Sequence, residues 1–144
     1  MEEQVGYVLK RVQQALRAAM DDAVRCHGLT TPQYVTLHAL GTGGALSGAE
    51  LARRSFVTPQ TMNGIVGNLA AAGLVERRAD PTDARVLRVA LTPAGRARLD
   101  ACGRAVAAIE EQLLSGLRPE ERPWFLDALR RCAAALAATT AAQS

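Results

Sequence analysis

Apolar residues recur at Val5, Val8, Leu9, Val12, Leu16, Met20 and Val24. Steps of three and four predict one long amphipathic helix over roughly residues 4–26. His27-Gly28 supplies its stop, because glycine takes the left-handed closing conformation at no steric cost. Thr31-Pro32 predicts a second start, with Thr31 as cap and Pro32 where a backbone N–H is not needed. Tyr34, Val35, Leu37 and Leu40 follow, and Gly41-Thr42-Gly43-Gly44 ends the segment. Ser47-Gly48-Ala49-Glu50 reads as a capping box opening a short third helix, with Leu51 and Ala52 inward and Arg53-Arg54-Ser55 closing it. Thr58-Pro59 repeats the cap-and-proline device. The helix behind it carries Met62, Ile65, Val66 and Leu69 on one face and ends at Gly73.

The period then changes. Leu74 to Arg77 is a short strand candidate, and Val86 to Leu91 a better one, with Leu87, Val89 and Leu91 on one side and Arg88 on the other. The turn-forming residues 78–85 join them into a hairpin, which must lean on the helices to be stable. Thr92-Pro93 caps a fifth helix whose Leu99, Cys102, Val106, Ile109 and Leu113 fall at heptad spacing, the seam of a coiled-coil-like contact. After a break at 116–119, a last helix bears Phe125, Leu129, Cys132 and Leu136, and the Ala-rich tail is expected to fray. The expected fold is mainly α with a small β-hairpin wing, in one chain without internal repeats or a separate second domain.

Composition narrows this only a little. The 144 residues are 49% hydrophobic and 22% charged, as in a folded domain, yet include one Trp, two Tyr and two Phe. The core must therefore be built from Leu, Val and Ala, which suits packed helices. A net charge of +3 permits nucleic-acid binding without demanding it. Residues 47–92 hold six Arg against four acidic residues, the most positive stretch for its charge count. Cys26, Cys102 and Cys132 are odd in number and far apart, which points to reduced thiols and a cytoplasmic protein. No secretory signal and no membrane span are expected.

Chemistry concentrates in the middle of the chain. Two short helices, a tight connection and a hairpin make a winged helix-turn-helix, whose second helix enters the major groove of duplex DNA. At about 100° per residue, the face opposite Met62, Ile65, Val66 and Leu69 carries Gln60, Asn63, Gly64, Gly67 and Asn68, with Thr61 toward one edge and Thr58 at its start. That face is uncharged. Gln and Asn pair with the N6 and N7 edge of adenine, and Thr touches bases or a thymine methyl. Gly64 and Gly67 each weaken the helix but remove bulk where another surface must come close. At the hairpin tip, Arg85 is placed to enter a minor groove, with Asp83 able to orient its guanidinium. Arg53, Arg54, Arg77 and Arg78 are candidate phosphate contacts, which position a protein without reading sequence.

Other clusters carry less. Cys26, beside Arg25 and His27, reads as an inert thiol rather than a redox sensor, and Cys102 and Cys132 as core or interface residues. His27, His38 and Cys26 lack metal-ligand spacing, and no nucleophile motif or cofactor fingerprint is present, so no metal, cofactor or catalytic activity is expected. Tyr34 and His38 are candidate ligand-pocket residues weighed against a core role, as is Trp124.

The stretch from Leu74 to Gly95 resembles the wing of the MarR family of bacterial regulators. It supplies a Gly73-Leu74-Val75-Glu76-Arg77 entry, an Asp83-Ala84-Arg85 tip and a Leu91-Thr92-Pro93-Ala94-Gly95 exit. Val57-Thr58-Pro59-Gln60-Thr61-Met62-Asn63 resembles that family's recognition-helix start, and the match is specific over roughly residues 30–98. The resemblance implies a triangular homodimer, with residues 1–29 and 93–144 as dimerisation helices and 30–92 as the DNA-binding lobe. It further implies a recognition helix at 59–72, Arg85 as the wing arginine, and repression relieved by a small molecule bound between lobe and dimer interface. Val5, Val8, Val12, Val106, Ile109, Leu113, Phe125 and Leu129 are the candidate interface residues, and the seam from Leu99 to Leu113 is longer than so small a domain needs internally. Expected partners are double-stranded DNA with a pseudo-palindromic operator, a second copy of the chain, and a small aromatic or phenolic effector. The competing reading is a winged-helix protein-interaction module without DNA binding.

Overall fold

The three-and-four spacing near the N-terminus does make a helix, α1 (Val5–Arg25), in a computed structural model that describes residues 4–143. Of its apolar stripe only Val24 is buried, with Met20 packed against the core; Val5, Val8 and Val12 are exposed. Gly28, at φ +73°, closes the end as expected.

Helix α2 (Thr31–Gly43) is capped by Thr30, not by Thr31 as the proline rule suggested. Thr30 accepts a hydrogen bond from the Gln33 N–H at 3.3 Å, and Gln33 Oε1 accepts the Thr30 N–H at 2.9 Å. This reciprocal box needs an amide or carboxylate three residues on, which Thr30 has and Thr31 lacks. The Thr31 hydroxyl instead donates to Asp21 of α1, tying the two helices. The glycine-rich end is helical through Gly43 and closes at Gly44, φ +73°.

A strand follows that the periodicity did not predict, β1 (Leu46–Ser47), too short for alternation to show. Ser47 then caps α3 (Gly48–Arg54) by accepting the Glu50 N–H at 3.2 Å. Only this half of the expected box forms, since the Glu50 carboxylate turns to Arg88, 4.0 Å away. Helix α4 (Pro59–Ala71) buries Met62, Val66 and Leu69, half-buries Ile65 and ends before Gly73 at φ +76°.

Strands β2 (Val75–Ala79) and β3 (Leu87–Leu91) form the expected antiparallel hairpin, with Val75 opposite Leu91 and Ala79 opposite Leu87. The sheet nevertheless has three strands in the order β1-β3-β2, because Leu46 pairs with Val89 and Ser47 with Arg88. A two-stranded ribbon is marginal alone, and β1 braces the middle of β3, at Arg88 and Val89, beside α3. Val89 is buried, but Leu87, expected on the same covered side, is 55% exposed because it lies far out along the wing.

Thr92 caps α5 (Pro93–Leu114): its hydroxyl accepts the Gly95 N–H at 3.0 Å and donates to the Gly73 carbonyl at 2.6 Å. Gly95 is buried so tightly that a Cβ there would overlap the carbonyl oxygen of Leu74. Leu99 and Cys102 are buried with Leu29, Leu37, Leu40, Leu51, Met62, Leu69 and Leu74 in one core, and Val106 packs against it. The first part of the predicted seam therefore serves the chain's own interior.

The chain divides into two compact units, Met1–Ile109 and Glu110–Ser144. The second contains the end of α5, a 3-10 turn (Pro119–Glu121) and α6 (Arg122–Gln143). Its turn is held by the Arg118 N–H donating to Glu121 Oε1 at 2.9 Å and by an Arg122–Glu111 ion pair at 2.7 Å. The Ala-rich tail, expected to fray, is helical to Gln143. Alanine is the strongest helix former, and Thr139 and Thr140 keep their hydroxyls bonded within the helix, donating back to the Ala135 and Leu136 carbonyls at 3.1 Å.

Candidate nucleic-acid interface

Thr58 begins the site. Its hydroxyl oxygen accepts the Thr61 N–H at 3.1 Å, and the Thr58 and Thr61 hydroxyls lie 3.0 Å apart in a hydrogen bond. Thr58 thus sets where α4 starts, while remaining exposed. Burial of Met62, Val66 and Leu69 against α2 and α3 turns the other side of α4 outward: Gln60, Thr61, Asn63, Gly64 and Asn68 are exposed and Gly67 is half-buried. A Cβ built on Gly64 or Gly67 would meet nothing within 4 Å. Neither glycine is explained by close packing inside the protein, so the space they leave faces outward.

Asn63 has a neighbour that spacing did not reveal. Arg77 of β2 donates an Nη hydrogen bond to Asn63 Oδ1 at 3.4 Å. The two stand beside an open cleft of about 250 Å³, lined also by Pro59, Met62, Val66, Leu87 and Val89. Arg77 therefore links wing to helix. Arg78 folds onto Glu76 of its own strand, its Nε donating at 2.7 Å. Arg53 and Arg54 are exposed at the C-terminal end of α3, where positive charge also suits the helix dipole.

The wing tip is built from carboxylates. Asp83 accepts the Arg85 N–H at 3.1 Å and its Nε at 3.2 Å through Oδ1, and an Nη hydrogen at 3.4 Å through Oδ2. The guanidinium is so oriented while 91% of its side chain faces solvent. Asp80, by sequence only a turn former, is buried. It accepts the Thr82 N–H and hydroxyl, both at 2.7 Å, and Arg88 Nε at 2.6 Å. The Thr82 hydroxyl and N–H, then Arg88, hold its carboxyl well below the usual carboxylate range. Arg88 also donates to the Ala45 carbonyl at 3.4 Å, so Asp80 ties the wing's outer turn, through Arg88, to the start of β1. The signal available was an Asp two residues before a Thr, the spacing of an Asx turn.

Elsewhere, Tyr34 lies in the core and stacks on the exposed His38, with ring centroids 6.0 Å apart. Of the candidate interface positions, Val5, Val8, Val12 and Leu129 are exposed, and Val106, Ile109, Leu113 and Phe125 are half-buried. Cys26 and Cys132 are exposed free thiols and Cys102 is buried. Among the described residues no group of three His, Cys, Asp or Glu is placed to hold a metal ion, and no helix is long and apolar enough to cross a membrane.

Comparison with known proteins gives this geometry a context. A family model described as the MarR family matches residues 27–86. The HTH-type transcriptional repressor Rv2887 of Mycobacterium tuberculosis is 40% identical over 119 residues, covering 82% of this chain and 86% of that protein. The HTH-type transcriptional repressor NicR of Pseudomonas putida is 38% identical over 129 residues, covering 90% and 82%. Among solved structures, Rv2887 in complex with DNA superposes with a TM-score of 0.77 at 34% identity, covering 91% of this chain and 98% of that one. The same protein has been solved with salicylic acid. BpsR of Bordetella bronchiseptica, whose DNA binding is regulated by 6-hydroxynicotinic acid, superposes with a TM-score of 0.81 at 32% identity, covering 91% and 94%.

Proposed function

The chain belongs to the MarR family of transcription regulators, and from that premise we propose that it is a sequence-specific repressor of double-stranded DNA, released by a small aromatic acid. One observation carries the reading: α4 presents exposed amide and hydroxyl side chains, with two outward gaps at Gly64 and Gly67 that no internal packing requires. Gln60 and Asn63 read base edges; Arg85, pre-oriented by Asp83, enters the flanking minor groove; and Arg53 and Arg54 meet phosphates. Arg77 holds Asn63 through one lone pair of Oδ1, which leaves the second lone pair and the amide N–H for the N6 and N7 edge of adenine.

The active form is a homodimer that joins through the exposed stripe of α1 and the apolar residues of α5 and α6, and reads two half-sites about one DNA turn apart. It works in the cytoplasm and catalyses no reaction. Support for the effector class comes from salicylic acid on Rv2887 and 6-hydroxynicotinic acid on BpsR, each an aromatic ring bearing a carboxylate.

Nuclease protection of the DNA around its own gene identifies the operator. On that duplex Arg85→Ala is expected to weaken binding about tenfold with the dimer intact, and Gln60→Ala and Asn63→Ala to lose discrimination against random DNA. Undiminished binding by Arg85→Ala removes the wing from the mechanism. Equal losses by the α4 variants on both duplexes show that these amides do not read bases. Salicylate and 6-hydroxynicotinate are the first effectors to titrate into the complex.

A further inference from the structure

Three helices of this chain end in the same closed loop. After α1, the Gly28 N–H donates to the Arg25 carbonyl at 3.0 Å and the Leu29 N–H to Val24 at 3.1 Å. After α4, Gly73 donates to Ala70 and Leu74 to Leu69, both at 3.0 Å. After α3, Phe56 donates to Arg53 at 3.4 Å and Val57 to Ala52 at 3.1 Å. The motif puts its middle residue in the left-handed region, which suits glycine. Gly28 and Gly73 obey, at φ +73° and +76°; Phe56, at +57°, is the only non-glycine residue with positive φ among those described.

A bulky side chain in that conformation is strained. Packing within the chain does not explain it, because Phe56 is 94% exposed, the most exposed of the large hydrophobic residues. Glycine would relieve both the strain and the wetted ring. The position is what distinguishes Phe56. It lies in the turn between the two helices of the motif, two residues after the exposed Arg54 and two before Thr58, which with Pro59 and Gln60 is exposed at the start of α4.

We propose that Phe56 is a DNA contact, its ring pressed against the deoxyribose wall of the groove that α4 enters. The inference rests on the reading of α4 as the groove-entering helix. A sugar presents an apolar, hydrogen-rich face between the phosphates that Arg53 and Arg54 would meet and the base edges that Gln60 would read. An aromatic ring between those two sets of side chains fits that face. Such a contact adds affinity and fixes how deeply α4 seats. It selects no base and displaces no counterion.

The test uses the full chain with Phe56→Gly, Phe56→Asn and Phe56→Tyr. Gly and Asn both tolerate the left-handed conformation, so their unfolding midpoints are expected to equal or exceed that of the original protein. Their dimer mass by sedimentation should be unchanged. Affinity by fluorescence anisotropy, for the protected operator duplex and for a scrambled one, should fall by the same factor, about tenfold. The slope of log affinity against log salt should stay as it was, since no ionic contact is lost. Phe56→Tyr should restore binding. Unchanged affinity in the Gly and Asn variants overturns the proposal while the DNA reading stands. A loss confined to the operator makes Phe56 a base reader and overturns the sugar assignment. A fall in dimer mass assigns the ring to a second copy of the chain. If the original protein shows no salt-dependent DNA binding at all, both the proposal and the reading beneath it fall.

Discussion

The helix-turn-helix unit and the C-terminal unit treat their apolar residues in opposite ways. In the first, Leu37, Leu40, Leu51, Met62 and Leu69 are sealed from solvent, at 2% exposure or less. In the second, α6 is 22 residues long and has no buried residue, although it carries Trp124, Phe125, Leu126, Leu129 and Leu136. Most of the stripe on α1 is likewise uncovered. The lobe is a finished interior, whereas the helical arms are half of one. Apolar rows of that length on a helix call for a partner surface, and in the dimer proposed above a second copy supplies the matching one.

That contrast is most directly broken by charging the arm. Leu129→Asp, present twice in a two-fold dimer, should shift the protein to monomer with a loss of roughly a thousandfold in association, read by sedimentation equilibrium. The lobe should keep its helical circular-dichroism signal. A dimer of unchanged stability would show that α6 is not the covered face.

Gly95→Ala attacks the finished side. The added methyl has no room beside the Leu74 carbonyl, a backbone atom that cannot swing away as a side chain can. The wing exit must shift, and a loss of about 3 kcal/mol in urea unfolding is expected. Wild-type stability in this variant would mean that the junction of α5 with Leu74 is looser than its geometry indicates.

The division between lobe and arms was partly legible in sequence. Helix starts at Thr58-Pro59 and Thr92-Pro93, the stops at Gly28 and Gly73, and the outward face of α4 follow from period and capping chemistry alone. Sequence and structure part where two local solutions compete. Thr30 displaced Thr31 as cap because Gln33 completes its box, and Glu50 left its box for Arg88, a partner 38 positions further along the chain that only the fold brings near. Strand β1 is two residues long and exists because β3 offers it an edge. Asp80 and Arg88 are ordinary letters in a turn and a strand until the hairpin register sets them together. Heptad spacing presents the seam on α5 as one surface, yet Leu99 and Cys102 serve the lobe core; the spacing reports which residues share a face, not what covers it. Phe56 had no signal, since nothing in sequence marks a left-handed phenylalanine.

The smallest effect discriminates most finely, because it makes one substitution move two measurements in opposite directions. Gly64 lies mid-helix in open space, and alanine there should stabilise the fold by about 0.5–1 kcal/mol, as it does at an exposed helix position. If the gap exists for DNA, the same methyl meets the groove, and operator affinity falls severalfold while the unfolding midpoint rises. Gly64→Ala with both quantities raised would show that the glycine is a vacancy on a solvated face. The reading of α4 would then have to stand on Gln60 and Asn63 alone.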